Sequence, residues 1–205
     1  MTLEEILRES ADRHKHLCPR QVLGARMSLF ASELLHLDLP REDKRLLVTS
    51  ETDGCAVDGI IAATNCRAGS RTLRILDFGK VAATFTDTHT ETSLRIVPLR
   101  EARSLAYEYA PQARNHWEAM LNGYQVMPFK NLFGVQSVQL NLPLLEIISR
   151  PGKKAVCELC GEEIINGREV IRNDAVFCRA CSGETYYHFA NAPLTIELFD
   201  HNKTS

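Results

Sequence analysis

Hydrophobic and polar positions alternate along this chain with two periods. Residues 2–14 read as an amphipathic helix, with Thr2 and Glu5 in capping-box spacing. Val22, Leu23, Ala25, Met27, Leu29, Phe30, Leu34 and Leu35 then recur as a buried helix face, which predicts a second helix from Pro19 to about residue 37. A polar turn containing Pro40 follows. Beyond it the pattern shortens: strands are expected over 45–50, 72–76, 81–86, 92–97 and 135–142. A helix ending near Asn65 is expected between the first two strands. Helices over 99–109 and 113–122, separated by Pro111, and a helical turn over 128–133 precede the last strand. The alternation Ala83-Thr84-Phe85-Thr86 suggests a sheet with one wet face. Helices first, then strands mixed with helices, predict an α+β fold: an antiparallel sheet with packed helices.

The predicted domain plan is a domain over 1–143, a linker over 144–155 centred on Pro151-Gly152-Lys153-Lys154, and a small unit with a tail over 156–205. The apolar stretch Leu144–Ile148 suggests a partly docked linker. Apolar content of 44% and charged content of 24% are those of an ordinary globular protein. The formal net charge of −2 provides no general attraction to nucleic acid or anionic membrane. No apolar run approaches a membrane span and no secretory leader is evident, so a cytoplasmic location and no membrane partner are expected.

Seven cysteines are present, and four form two CxxC pairs. Cys157-x-x-Cys160-Gly161 and Cys178-x-x-Cys181 supply four thiolates at a separation suited to one tetrahedral ion, zinc before iron. Asn166-Gly167 between short apolar runs predicts a hairpin, and 184–189 reads as helical. Knuckle, hairpin and helix in that order resemble a treble-clef zinc finger. From Pro151 onward six Lys or Arg stand against eight Asp or Glu, which argues against a nucleic-acid-reading finger and for a structural or docking one.

A second concentration of chemistry lies at His14-Lys15-His16-Leu17-Cys18-Pro19-Arg20. Pro19 suits the first position of a helix, which places Cys18 at its N-cap, where the dipole and free N–H groups favour a thiolate. An extended segment would gather His14, His16 and Cys18 on one face, whereas a helix running through His16 would gather only His14 and Cys18. Cys55, after an acidic glycine-containing turn, shares the helix-start placement, with Asp58 one turn further on. A surface histidine pair, a buried Cys18 and a packed Cys55 are the plain alternatives. His89, on a hairpin loop, is assigned no role.

His14-Lys15-His16-Leu17-Cys18-Pro19 with Leu23-Gly24, then Cys55-Ala56-Val57-Asp58, then Asp77-Phe78-Gly79-Lys80-Val81-Ala82, resemble in order and spacing the FmdE family of formylmethanofuran dehydrogenase subunits, in which a C-terminal finger is a known addition. The resemblance implies an α+β domain in intertwined dimers with a Cys/His site near the dimer interface. It implies that His16, Cys18 and Cys55 hold a second metal ion, expected to be zinc, with His14, Asp58 and Lys80 close by. It further implies an accessory module linked to a larger molybdenum or tungsten enzyme of one-carbon metabolism. An enzyme reading stands beside it: Cys18 as nucleophile or a metal-activated water, Asp58 or His14 as base, and Lys80 on an anionic small-molecule substrate. A thiol–disulfide role for Cys18 and Cys55 and a regulatory role for the finger are the remaining readings. Arg67-Ala68-Gly69-Ser70-Arg71 departs from the family's glycine-rich turn.

Overall fold

A computed structural model describes residues 1–141, 143–148 and 152–188, with Leu145 described by its backbone alone. The chain divides into two compact units, Met1–Ser149 and Arg150–Ser205.

In the first unit α1 (Leu3–His14) opens with the expected capping box: the Thr2 N–H donates to Glu5 Oε2 at 2.7 Å and the Glu5 N–H to Thr2 Oγ1 at 3.2 Å. Helix α2 (Pro19–Leu35) is buried almost all round rather than along one face. It is the central helix, packed on α1, α3 (Ala56–Thr64), α5 (His116–Val126) and the sheet. It stops short of the expected residue 37 because His36 turns left-handed (φ 53°) and the Leu37 N–H closes on Ser32 O at 3.0 Å.

The sheet runs β2-β1-β3-β4-β5, with β1 (Leu46–Ser50), β2 (Leu73–Ile75), β3 (Ala83–Asp87), β4 (Ser93–Pro98) and β5 (Phe133–Val138). It is antiparallel except for β1 and β2, which are parallel and joined through α3. One cross-strand row, Leu73–Val48–Phe85–Leu94, contributes to the core that α2 also enters. The opposite row is Arg74–Thr49–Thr84–Arg95–Gln136. The expected wet face is not seen at β3, whose five residues are all buried. It is the central strand, and on the polar row Thr84 lies between Thr49 and the long side chain of Arg95. Over that row's edge, Arg74 donates to Ile147 O at 2.5 Å, docking α7 (Leu144–Ile148).

Helix α4 (Ala102–Tyr109) and α5 form a helical hairpin, and both begin later than expected. The Leu99 N–H is taken by Leu132 O at 2.9 Å, and Asn115 caps α5 by accepting from the Glu118 N–H at 2.9 Å. Buried Arg26 reaches across from α2 to the last turn of α5. Its guanidinium donates to Tyr124 O at 3.2 Å, to Gln125 O, and to Met127 O at 2.7 Å, while lying 4.5 Å over the Phe129 ring of α6 (Phe129–Leu132).

The second unit contains two hairpins, β6 (Lys154–Val156) with β7 (Glu163–Ile165) and β8 (Val170–Arg172) with β9 (Ala175–Phe177). The hairpin expected around Asn166-Gly167 is not formed. Both residues do adopt positive φ (64° and 63°), but the strands they join pair elsewhere. The two-residue hairpin turn is Asn173-Asp174, at φ 50° and 63°. The helix expected over 184–189 is absent from its described residues, 184–188, and Phe189 lies outside them. Gly183 at φ +100° ends the turn after Cys178: its N–H bonds Ala180 O at 3.1 Å and the Glu184 N–H bonds Arg179 O at 2.8 Å. Leu142, Pro151 and the tail from 189 onward also lie outside the described residues.

Candidate functional sites

Four sulfurs converge in the second unit. Cys157 and Cys160 lie on the knuckle between β6 and β7, where Gly161 at φ +75° reverses the chain and the Cys157 N–H bonds Glu162 O at 3.0 Å. Cys178 and Cys181 flank the turn after β9. The four Sγ atoms lie within 4.8 Å of one another, Cys160 and Cys178 at 3.9 Å, and the group can hold a metal ion. Backbone N–H groups of Cys160 and Cys178 lower the Cys157 thiol to about 6. The neighbouring Cys178 thiol, with burial, pushes Cys181 up to about 12. Four thiols this close resist ionising together, so filling the site releases protons.

In the first unit the backbone brings Cys18 and Cys55 together. The two residues cap α2 and α3, and these helices approach to backbone contact. A Cβ on Gly24 would stand 2.0 Å from Ala56 O, and one on Gly59 would stand 2.1 Å from Gln21 O. Only glycine permits that approach. The Cys18 N–H donates to Gln21 Oε1 at 2.6 Å, and Gln21 Nε2 donates to Ser10 O at 3.0 Å, tying the cap to α1. The turn before Cys55 hangs from Glu51. Arg95 grips the Glu51 carboxylate through Nε (2.5 Å) and a terminal nitrogen (2.7 Å), while Glu51 O accepts the N–H groups of Phe78 and Lys80. Arg95 accordingly holds Glu51 below the usual carboxylate range.

Cys18 is 8% exposed, and Cys55 lies close enough to perturb its thiol. The expected thiolate is not favoured. Burial raises the Cys18 pKa, Cys55 adds to the rise, and the backbone donors of Gln21 and Arg20 offset only part of it. His14 Nδ1 lies 2.8 Å from Asp58 Oδ2, and the His14 and His16 rings are 4.7 Å apart. Among the described residues the Cys157 cluster is the one group in which three or more such ligand atoms lie within 4.8 Å, so His14, His16, Cys18 and Cys55 do not form a closed set. Lys80 is exposed, on the loop after β2.

Cys18 and Cys55 open onto a cleft of about 500 Å³ that includes Pro19, Arg20, Leu23 and Val81, with Arg103 from α4 and Trp117, Met120 and Tyr124 from α5. Lys80 is not among the lining residues; its neighbour Val81 is. The α4–α5 contribution escapes a reading of short motifs because it lies over eighty residues from Cys18. The signal that existed was the single tryptophan, which lies within a predicted helix.

The model of a protein family described as FmdE, molybdenum formylmethanofuran dehydrogenase operon, matches residues 13–134, more than half of the chain. The chain belongs to the FmdE family. That match takes in the His14–Cys18 segment, Cys55, Asp58 and the α4–α5 hairpin, and it stops before the four-cysteine unit. A crystal structure of an FmdE-like protein of the tungsten formylmethanofuran dehydrogenase type, from Syntrophus aciditrophicus, superimposes with a TM-score of 0.57 over 92% of this chain and 96% of that one, at 19% identity. The fold is therefore shared. A probable S-adenosyl-L-methionine-binding protein of Archaeoglobus fulgidus is 35% identical over 85 residues, 40% of this chain and 23% of that relative. The chain thus spans about a quarter of that relative's length. No helix among the described residues is long and apolar enough to cross a membrane.

Proposed function

We propose that this FmdE protein is a metal-binding accessory module with two ions per chain. Zinc occupies the Cys157/Cys160/Cys178/Cys181 group. A Zn–S bond of about 2.3 Å in a tetrahedron sets neighbouring sulfurs roughly 3.8 Å apart, close to the 3.9 Å between Cys160 and Cys178. All-thiolate, closed coordination makes that ion structural, and the finger (156–205, after a domain of 1–143 and a linker) depends on it to fold.

The second ion, again zinc, sits in the N-terminal domain on Cys18, Cys55 and His16, with His14 as a further ligand. The pairing of His14 Nδ1 with Asp58 carries this reading. A carboxylate on Nδ1 fixes the ring and leaves Nε2 to bind metal, the usual support of a ligating histidine. Asp58 is then a positioning residue rather than a base. Closing the set requires His14 or His16 to swing toward the two thiols. A homodimer with this site near its interface, docked on a larger molybdenum or tungsten enzyme of one-carbon metabolism in the cytoplasm, is the assembly this reading favours.

A second reading is supported by the cleft at Cys18: a stand-alone enzyme using a metal-activated water or the Cys18 sulfur on a small anionic substrate, with Asp58 and Lys80, which the family resemblance brings to this role, lying outside the cleft's lining. Metal content by mass spectrometry on the wild type and Cys18→Ser tests the shared premise. The expected result is about two ions per chain falling to about one with the fold intact, as an open three-ligand site loses its hold when one ligand goes. One ion in both proteins would confine metal to the finger and end the N-terminal assignment.

A further inference from the structure

We infer that the cleft beside Cys18 and Cys55 is a binding site for a small planar organic anion, an aryl or heteroaryl carboxylate or phosphate, with its acid group on Arg20 and Arg103 and its ring against Trp117 and Tyr124. The inference deepens the second reading above and rests on it, naming the ligand class and assigning the anion to two arginines instead of Lys80.

The cleft's charge points to an anion. Two guanidinium groups line it and no carboxylate does, in a chain whose formal net charge is −2. Arg20 has no ion-pair partner among the described residues, and Arg103 meets only the ring of His116, Nε to Nε2 at 3.2 Å. A guanidinium matches carboxylate and phosphate oxygens in pairs, so two lining one cleft, one from α2 and one from α4, suit it to an acid group. A phenol donor also lines the cleft. Tyr124 is 5% exposed, and its hydroxyl makes no hydrogen bond among the described residues. The hydroxyl is not sealed in the interior, so it is free to donate to a molecule held in the cleft. The remaining wall is apolar, and half-exposed Trp117 adds an aromatic ring to it. A volume of about 500 Å³ falls in the range of small-molecule sites. An organic anion with a ring therefore satisfies the charge, the donor and the apolar wall together, whereas a bare inorganic anion leaves the aromatic wall unused.

The chain's one tryptophan lies in this cleft and serves as the reporter. The full chain is titrated with 2-naphthoate, its neutral counterpart 2-naphthamide, and acetate, following Trp117 fluorescence and heat of binding. Naphthoate is expected to saturate and to bind about tenfold or more tightly than the amide, and acetate to bind weakly. Arg20→Gln and Arg103→Gln are each expected to weaken naphthoate by about tenfold and leave the amide unchanged. Tyr124→Phe is expected to weaken naphthoate by about fivefold while keeping the fluorescence response. Equal binding of acid and amide, unchanged affinity in both arginine variants, or no saturation at millimolar probe would overturn the inference. Metal content measured on the same samples separates it from the metal assignment. Acid-selective binding by a chain with metal only in the finger would leave the cleft standing and the N-terminal ion refuted. An N-terminal ion with no acid selectivity would do the reverse.

Discussion

Alanine at Gly24 or Gly59 sets two known effects against each other. In a helix interior alanine is preferred over glycine by about 1 kcal/mol, so propensity alone makes both substitutions stabilising. Packing opposes this. The new Cβ at Gly24 would stand 2.0 Å from Ala56 O and must retreat by roughly 1.4 Å to reach the 3.4 Å where ordinary contact begins. At Gly59 it would stand 2.1 Å from Gln21 O and 2.8 Å from the Ala25 nitrogen. The opposing atoms are backbone in both cases, so no side chain can rotate away and the helices must separate. Overpacking typically costs about 1–3 kcal/mol and more when nothing yields. We expect a net loss of about 2–3 kcal/mol for either variant, a fall in melting temperature of roughly 5–12 °C.

The same geometry predicts strong coupling. Once one Cβ has pushed α2 and α3 apart, the second is admitted at little further cost. The double variant is therefore expected to lose at least about 1 kcal/mol less than the sum of the singles. Urea unfolding of the wild type, both singles and the double gives the cycle. Gly69→Ala, which meets nothing within 4 Å, is the control and is expected within about 0.5 kcal/mol of wild type. Singles as stable as the control, or losses that simply add, would refute the claim that these glycines set the helix contact. Because Cys18 and Cys55 cap the two helices, N-terminal metal is expected to weaken in the same variants while the finger keeps its ion.

Arg26→Met is expected to cost about 2–4 kcal/mol in urea unfolding, because three carbonyls at the end of α5 lose a charged donor, and Arg26→Lys should recover less than half of it. Arg95 lowers the folded-state pKa of Glu51, so the pair's stabilisation is present above the ordinary carboxylate value of 4.5 and is lost as pH falls through the lower folded value. Glu51→Gln should thus be about 1–2 kcal/mol less stable at neutral pH, the low figure reflecting the solvent at Arg95, with a flatter decline toward acid; equal slopes in both proteins would contradict the pairing. In the finger, Cys160→Ser or excess chelator should remove one ion and the hydrogen-exchange protection of 152–188. Zinc uptake should weaken by about tenfold per pH unit for each proton released as pH falls below the thiol range, and pH-independent uptake would exclude the four-thiol ligand set.

Much of the fold was legible because the governing signals are local. The capping box at Thr2, Pro19 after Cys18 and the apolar run of α2 each act within one or two turns. The errors came where a local signal was outvoted. Asn166-Gly167 does turn the chain as its type favours, but β7 was taken by β6, so the turn joins strands of different hairpins. Ala83–Thr86 alternates as a half-wet strand does, and its central place in the sheet buried both faces. Gly183 was an available stop signal after Cys181 that the helical reading of 184–189 passed over.

The site divides along the same line. The four finger cysteines were readable as a set because the CxxC spacing carries the geometry within the sequence. The pairing of Cys18 with Cys55 depends on the crossing of α2 and α3, and therefore on Gly24 and Gly59, whose role is visible only when each meets the other helix's backbone. The thiolate expected at Cys18 is opposed for a related reason. The helix end does supply N–H donors, but the close crossing that brings Cys55 alongside also buries the sulfur, and burial with a second thiol outweighs the donors. An accessible helix-terminal thiol ionises readily, whereas a buried pair favours a ligand that displaces both protons. A metal ion is such a ligand, so the packing that disfavours a free nucleophile at Cys18 is the packing a two-thiolate metal site needs.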